Sequence, residues 1–391
     1  MSQVNYTTLM TYLGDIPDQR NARGRRYEWL YLLTLLAASL LAGNQGLLAM
    51  WQWLFYHRAE LVMSLQPRRG CLPSLATLRR VLCDLDVQVL EERVAAYNQT
   101  LDAADGMTGR IATKSGTVLK GQAVDGKTVR GASAHGETVH LVSVVRHQSA
   151  AVLAQGQVAE KLDERQAAVQ LLTPDLLVGT VTTMDALHTQ RTLAQHILDA
   201  GGHYLMVVKG NQPALLHDIA LGFDALPPVN PREAAFWGYQ AIQTFDRGHG
   251  REEVHRLERT THLNDYLRWP GVAQVLRRTR RSCQRRTRVI TEEMHYGITS
   301  LPPTLVELAS LEQLWRWHWT IENCVHYVRD VSFGEDRSQV RAGNAPQVLA
   351  AFRNALITVL HHEGWAHIPN ALRFFEAHLQ DSLRFLGAIA T

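Results

Sequence analysis

Apolar residues recur every three or four positions through the first hundred residues, in runs separated by turn residues. This spacing places the apolar side chains on one face of a helix. The most apolar run, Trp29 to Ala42, has fourteen residues. Because a helix needs about 20 residues to span a bilayer, a buried helix is expected there. The pattern predicts a helical N-terminal domain over residues 1–104.

Short β-branched runs replace the helical spacing after the polar stretch DAADGMTGRIATKSG. The runs GQAVDGKTV, ETVHLVSVVRH and AAVLAQGQVA predict three antiparallel strands, and DERQAAVQLL predicts a crossover helix. The segments GTVTTMDA, TQRTLAQHILDAGG and HYLMVVKG then predict a βαβ unit. Short extended pieces return between Gly210 and Leu314 and indicate a β-rich insertion. The fold class predicted for this part of the chain is α/β.

Three carboxylates occupy informative places in this pattern. Asp125 and Asp185 each end a short β-branched run, and Glu322 lies in the long helical run LWRWHWTIENCVHYVRD. Asp185 is expected at the carboxyl end of a parallel strand, the edge where ligands bind in open α/β sheets. Two divalent cations held about 3.5–4 Å apart by such a cluster can activate a water and stabilise the leaving oxygen of a phosphodiester. The pattern suggests a metal-dependent enzyme acting on DNA.

The helical run around Glu322 has an apolar stripe that is predicted to pack on the sheet. The stripe consists of Leu314, Trp317, Ile321, Cys324, Val328 and Val331. Glu322 lies about 100° from Ile321 at 3.6 residues per turn, on the same face as His318 and Arg329. From spacing alone, a surface acid paired with Arg329 or His326 is an equally good interpretation. If Glu322 is not the catalytic acid, the substitutes are Asp330, Glu335 and Asp336.

Composition and charge limit the partners. The 391 residues are 46% hydrophobic and carry a net charge of +3, so the overall field is weak and nucleic-acid contacts must come from local basic patches. The window Arg277 to Arg288 holds seven arginines and no acid, which favours a forked phosphate-binding surface over a merely solvated face. The basic segments QRNARGRRYEW and QPRRG are further candidates. The four cysteines are far apart and indicate a reducing compartment.

Several motifs carry a resemblance to a known family. The strings AVDGKTVRGA, MDALHTQ, HYLMVVKGNQP, FDRGHGREE and HWTIENCVHYVRDVSFGEDRS resemble the insertion-sequence transposases of the DDE superfamily, in the group of the H-repeat-associated proteins found beside Rhs elements. The match runs nearly end to end, and the motifs occur in the right order. The resemblance implies a ribonuclease H-like mixed sheet with flanking helices over residues 105–391. A β-rich insertion at about 212–310 would precede the Glu-bearing helix, and the all-α domain would come first.

The resemblance also implies an activity and a catalytic triad. The triad falls on Asp125, Asp185 and Glu322, which would hold two Mg²⁺ ions, with Mn²⁺ as a substitute. The implied reaction is cleavage at transposon ends and strand transfer into target DNA. A homodimer assembled on DNA and a location in the bacterial cytoplasm, near the nucleoid, are expected. The alternatives are a metal-dependent nuclease without strand transfer and a non-catalytic DNA-binding relic of a mobile element.

The residues that flank Glu322 depart from the family pattern. Related transposases carry an aromatic residue seven positions before the Glu, an Arg four before and a Lys seven after. Here these positions are Trp315, His318 and Arg329. A His in place of Arg would hold phosphate less firmly near neutral pH, and Arg316 could substitute for it. The predicted DNA-binding residues are Lys127, Lys209, Arg247, His249, Arg277, Arg278, Arg280, Arg281, Arg285, Arg286, His318 and Arg329.

Overall fold

The computed structural model describes residues 8–106, 108–134, 137–158, 164–226, 231–248 and 250–390. The chain folds as two compact units. The first comprises Met1–Thr108, Gly126–Ala167 and Thr320–Thr391, and the second comprises Gly109–Asp125 and Ala168–Trp319. Each unit contains part of the region predicted as the catalytic domain. The domain boundary at residues 104 and 105 stays a prediction.

The N-terminal part of the first unit is helical, as the apolar spacing predicts. Its helices are α1 (Leu9–Gly14), α2 (Trp29–Leu41), α3 (Leu47–Tyr56), α4 (Arg58–Leu65), α5 (Leu75–Asp84) and α6 (Val87–Ala104). Helix α2 is the predicted buried helix, with every residue from Tyr31 to Leu41 buried. Ser74 caps α5 and Asp86 caps α6 by accepting hydrogen bonds from first-turn amides. Among the described residues, no helix has both the length and the apolar content needed to cross a bilayer.

The rest of the first unit consists of strands and a group of C-terminal helices. Its elements are the second half of β2 (Val118–Ala134), β3 (Glu137–Arg146), β4 (Val152–Val158), α14 (Ala345–His362), α15 (Ile368–Ala377) and α16 (Leu379–Leu386). Strands β3 and β4 are antiparallel. Helix α14 is buried from Ala345 to Leu360, and Asn98 on α6 donates to the Val152 carbonyl of β4 at 2.8 Å. The core of this unit therefore lies where α6 and α14 pack on β4. The unit boundary falls inside α7 (Glu164–Leu171).

The second unit is built on one mixed sheet. Its strands are β1 (Arg110–Ala112), the first half of β2, β5 (Thr180–Met184), β6 (His203–Val208), β7 (Gln240–Gly248), β8 (Arg251–Thr260), β9 (Gln274–Gln284) and β10 (Ile290–Thr299). From β2 the strand order is β2-β5-β6-β10-β9-β8-β7, and β1 pairs with β2. Strands β2, β5 and β6 are parallel, whereas β10 is antiparallel to β6 and the last four strands form an antiparallel meander. Its helices are α8 (Pro174–Leu177), α9 (Arg191–Asp199), α10 (Pro213–Asp224), α11 (Pro231–Phe236), α12 (Asn264–Leu267) and α13 (Leu308–Trp317).

This topology confirms the predicted βαβ unit and corrects the expected place of Asp125. Helix α9 connects the parallel strands β5 and β6, and it is followed by Gly201 at φ 76°, a conformation that glycine adopts without strain. The strands predicted as an insertion extend the same sheet, because β10 pairs directly with β6. Asp125 lies in the middle of β2 rather than at the end of a strand, since β2 continues to Ala134.

The predicted long helix around Glu322 is not a continuous α-helix. Helix α13 ends at Trp317, and two π-helical segments follow, Ile321–His326 and Val328–Ser332. The wider π turn shifts which residues face inward. Ile321 and Val328 are buried, as predicted. Val331 is exposed and Val325 is buried instead, so the predicted apolar stripe is wrong at its C-terminal end.

Candidate metal centre

Two of the three predicted carboxylates meet in the second unit. Val124 on β2 lies opposite Met184 on β5 in the parallel ladder. Asp125 directly follows Val124, and Asp185 directly follows Met184. Ligand atoms of Asp125, Asp185 and His188 all lie within 4.8 Å of one another. The Asp185 side chain is 39% exposed, so a ligand can reach it from solvent. The predicted position of Asp185, directly after a parallel strand, is confirmed.

His188 orients the Asp185 carboxylate through its backbone and its ring. The Oδ1 atom of Asp185 accepts a hydrogen bond from the His188 backbone N–H at 3.2 Å and lies 2.9 Å from His188 Nδ1. Burial opposes ionisation of Asp185, but the hydrogen bonds from His188 hold the pKa of Asp185 below its ordinary value. The carboxylate is therefore oriented and ionised near neutral pH. Sequence reasoning did not single out His188, although its position three residues after an Asp at a strand end is a usable signal.

The loop that carries His188 is fixed by neighbouring backbone and side chains. Thr189 Oγ1 donates to the Val207 carbonyl at 2.6 Å, and Asn211 Nδ2 donates to the Ala186 carbonyl at 2.5 Å. Gln212 Nε2 donates to the Thr189 carbonyl at 3.0 Å. The motif residues after β6 thus brace the loop after β5. Such bracing pre-organises the carboxylate before any ligand arrives.

His318 lies against β5 in the same unit. Its Nδ1 is 3.0 Å from Thr183 Oγ1, and that hydroxyl donates to the Gln122 carbonyl at 3.1 Å. Burial lowers the pKa of His318 to about 4, with Asp185 acting in the opposite direction. The ring is neutral near pH 7 and offers no positive charge to a phosphate. Lys209 is exposed directly after β6, and its contact with DNA stays a prediction.

Glu322 lies in the first unit, on the first π-helical segment. Its side chain is 48% exposed, and His326 Nδ1 lies 3.9 Å from its Oε2, which is longer than a hydrogen bond. Burial and the charges of Arg329 and Lys127 hold the pKa of His326 well below its ordinary value. His326 is therefore neutral and does not neutralise Glu322. These contacts do not support the interpretation of Glu322 as a surface acid in an ion pair.

A buried ion network lies beside this segment in the same unit. Arg329 is fully buried and donates to both carboxylate oxygens of Glu335, and Arg353 donates to the same carboxylate at 3.0 Å. Lys127 is buried and lies 2.5 Å from Asp330. Because Lys127 and Arg329 are enclosed and paired with acids, we remove both from the proposed DNA contacts. For the same reason Glu335 and Asp330 are poor replacements for Glu322, and Asp336 lies 4.0 Å from Lys127.

The arginine-rich window divides into paired and exposed members. Arg277 binds Glu258, Arg278 binds Glu312 while buried, and Arg280 binds Glu253. These ion pairs hold the meander strands and helix α13 together.

The exposed arginines cluster toward the turn between β9 and β10. The predicted DNA contacts among them are Arg281, Arg285 and Arg286, and Arg288 is exposed as well. Arg247 is also exposed, 3.1 Å from Glu252, and Arg316 pairs with Asp246. His249 lies outside the described residues. The exposed arginines and Lys209 therefore remain the predicted DNA contacts of this unit.

Comparison with known proteins identifies the family. Residues 117–360 match the family described as Transposase DDE domain, and residues 10–98 match the one described as DDE_Tnp_1-associated. The chain belongs to the transposase DDE family. This membership and the mixed sheet confirm the predicted fold class, a ribonuclease H-like α/β domain after a helical region. Membership of this family also implies DNA binding.

Curated relatives carry related names. "Putative transposase YncI" of Escherichia coli O157:H7 is 27% identical over 366 residues, which cover 90% of this chain and 87% of that protein. "H repeat-associated putative transposase YhhI" of Escherichia coli strain K12 is 30% identical over 253 residues, 62% of this chain and 64% of that protein. The suggested resemblance to the H-repeat-associated group is thereby confirmed.

Proposed function

We propose that this protein is a DNA transposase that cleaves DNA at transposon ends and joins the released 3′ ends to target DNA. The observation that carries the proposal is the meeting of Asp125 and Asp185 at paired parallel strands within a chain of the transposase DDE family. The third carboxylate of the proposed triad is Glu322. It lies inside the matched range 117–360, and its carboxylate is exposed.

The donor set suits a hard divalent cation. Carboxylate oxygens are the ligands that Mg²⁺ prefers, and the oriented, ionised Asp185 beside Asp125 can supply them. Two Mg²⁺ ions, or Mn²⁺ in their place, would activate the attacking water or hydroxyl and stabilise the leaving oxygen. His188 acts on this chemistry by fixing the direction and charge of Asp185.

The proposed reaction has two displacements at phosphorus. In the first, water attacks the phosphodiester at a transposon end and the 3′ oxygen leaves as a hydroxyl. In the second, that 3′ hydroxyl attacks a target phosphodiester and a target 3′ hydroxyl is released. Neither step needs a covalent enzyme intermediate. Because two ends must be joined in one event, we also propose that the protein works as a homodimer on DNA.

The test is movement of a marked element in cells. A donor plasmid carries a marker between the DNA flanks of the gene's own locus, and excision and reinsertion are scored for wild type, Asp125→Asn, Asp185→Asn and Glu322→Gln. The matched controls are Asp199→Asn and Glu376→Gln, which remove exposed carboxylates on α9 and α15. We expect movement with wild type and both controls and none with the triad variants.

A second assay separates the competing functions. Purified protein is incubated with the same DNA and Mg²⁺ or Mn²⁺, and cleaved and joined products are resolved on gels. Cleavage without joining would replace the transposase with a nuclease. Absence of both, with movement also absent in cells, would favour a DNA-binding relic. Cleavage retained by Glu322→Gln would remove Glu322 from the triad.

A further inference from the structure

A cavity lies in the helical region, and its lining residues all belong to the first unit. It has a volume of about 870 Å³ and is bounded by residues 17–29, the turn at Arg69 and helix α5. Four exposed arginines line it, namely Arg23, Arg26, Arg69 and Arg80. We call this feature the arginine cleft.

The arginine cleft has an excess of positive charge. Among the described residues, no carboxylate lies within ion-pair distance of its four exposed arginines. Arg20, which also lines the cleft, is different because it binds Asp18 at 2.8 Å. The acids on the lining are Asp84 and Asp86, and Asp86 is occupied as the cap of α6 and as an acceptor from Gln19. The exposed guanidinium groups therefore face solvent without a protein anion to neutralise them.

The loop that presents Arg23 and Arg26 is held in one shape. Arg25 donates to the Asp18 carbonyl at 2.7 Å and to the Arg20 carbonyl at 2.9 Å, and Asn21 caps a short 3₁₀ turn at Ala22–Gly24. On the facing side, Arg69 lies over the Tyr27 ring at 5.4 Å. A rigid display reduces the entropy lost when a ligand is bound.

Helix α5 adds hydrogen-bond donors to the same wall. Ser74, which caps the helix, and Thr77, in its first turn, line the cleft with their hydroxyl groups, and a helix N-terminus favours anions. Arg80 projects from the next turn of the same helix. Guanidinium forks and a helix N-terminus are both groups that bind phosphate oxygens.

We propose that the arginine cleft binds the phosphate backbone of duplex DNA. Four arginines without an acidic partner, spread over two loops and a helix, suit a row of phosphates better than a single small anion. The proposal deepens and rests on the proposed function, in which DNA is the substrate. In this proposal the helical region binds the DNA that the carboxylates cleave.

The test measures DNA affinity without catalysis. Anisotropy of a labelled 40-base-pair duplex is recorded in EDTA at several salt concentrations for wild type and for the triple variant Arg26→Ala, Arg69→Ala and Arg80→Ala. The control triple variant, Arg58→Ala, Arg165→Ala and Arg373→Ala, removes the same charge from exposed sites of this unit outside the cleft. Circular dichroism establishes that each variant is folded.

We expect the cleft variant to bind about tenfold or more weakly at 0.1 M salt, with the control within about twofold of wild type. Each lost phosphate contact should also lower the slope of log affinity against log salt by about 0.9. Equal losses in the two triple variants, or no loss in either, would overturn the proposal. Competition by millimolar inorganic phosphate would also overturn it, in favour of a small-anion site. Because EDTA removes the metal, failure of the proposed catalysis would leave this result unchanged.

Discussion

The buried Glu335 offers the sharpest test of what stabilises the segment that carries Glu322. Its carboxylate accepts hydrogen bonds from Arg329 at 2.7 and 3.0 Å and from Arg353 at 3.0 Å, and all three side chains are at most 1% exposed. The perturbation is Glu335→Gln, which keeps the shape and removes the charge. Two buried guanidinium groups would then lose their anionic partner.

The magnitude follows from the protonation equilibrium of Glu335. Burial by itself would raise its pKa, but the charges of Arg329 and Arg353 lower it from 4.5 to about 2. At about 1.4 kcal/mol per pKa unit, this difference corresponds to about 3 kcal/mol of folding free energy. The value agrees with the roughly 3–5 kcal/mol lost when one partner of a buried ion pair is removed. Because the folded-state pKa is depressed, this stabilisation is complete above pH 4.5 and is lost as the pH falls toward 2.

The assay is urea unfolding followed by tryptophan fluorescence at pH 7 and at pH 3.5. We expect Glu335→Gln to lower the free energy of unfolding at pH 7 by about 3 kcal/mol, and by less at pH 3.5. The matched control is Asp381→Asn, which removes the exposed Arg384 pair on α16 and should cost under about 1 kcal/mol. A Glu335→Gln loss at pH 7 no larger than that of Asp381→Asn would refute the reasoning.

Three further predictions concern the site and its support. His188→Ala should lower the Mg²⁺-dependent cleavage rate about 10–100-fold, and His188→Asn should restore part of it. The rate is measured against Mg²⁺ concentration. An unchanged rate would show that Asp185 does not need His188 to orient it. His318→Gln should leave the pH profile of cleavage unchanged between pH 6 and 8, because the His318 ring is already neutral there; a new inflection in that range would contradict this. Gly131→Ala should lower the melting temperature, because the added Cβ would lie 2.3 Å from the Ser338 carbonyl oxygen. Gly46→Ala should leave the melting temperature unchanged, because the Cβ added there has no atom within 4 Å. Equal melting temperatures of the two variants would disprove the predicted clash.

Local patterns were sufficient for the elements that depend on neighbours in sequence. Apolar spacing predicted α2 and its burial, and the β-branched run before Asp185 predicted a strand with the acid at its end. These predictions succeed because side-chain periodicity and caps act over a few residues. The motifs likewise identified the family, since each is a short string with its own spacing.

Pairing across long sequence distances was decided only by the tertiary structure. The arginines near residue 280 look alike in sequence, but Arg278 is buried against Glu312 and Arg281 is exposed, because strand pairing and helix packing choose each partner. Arg329 lies at a position that the family pattern predicts to contact phosphate, but in the folded chain it is buried and paired with Glu335. A charge cannot be buried without a partner, so the location of the nearest acid determines its role.

The candidate site shows the same division. The sequence by itself determined the transposase DDE family, the helical N-terminal region and the acids to examine. Only the folded chain set Asp125 beside Asp185 and His188, placed Asp125 in mid-strand and replaced an α-helix by π turns at Glu322. The physical reason is that hydrogen-bond register and packing join residues far apart in the chain, and no short-range pattern encodes those distances.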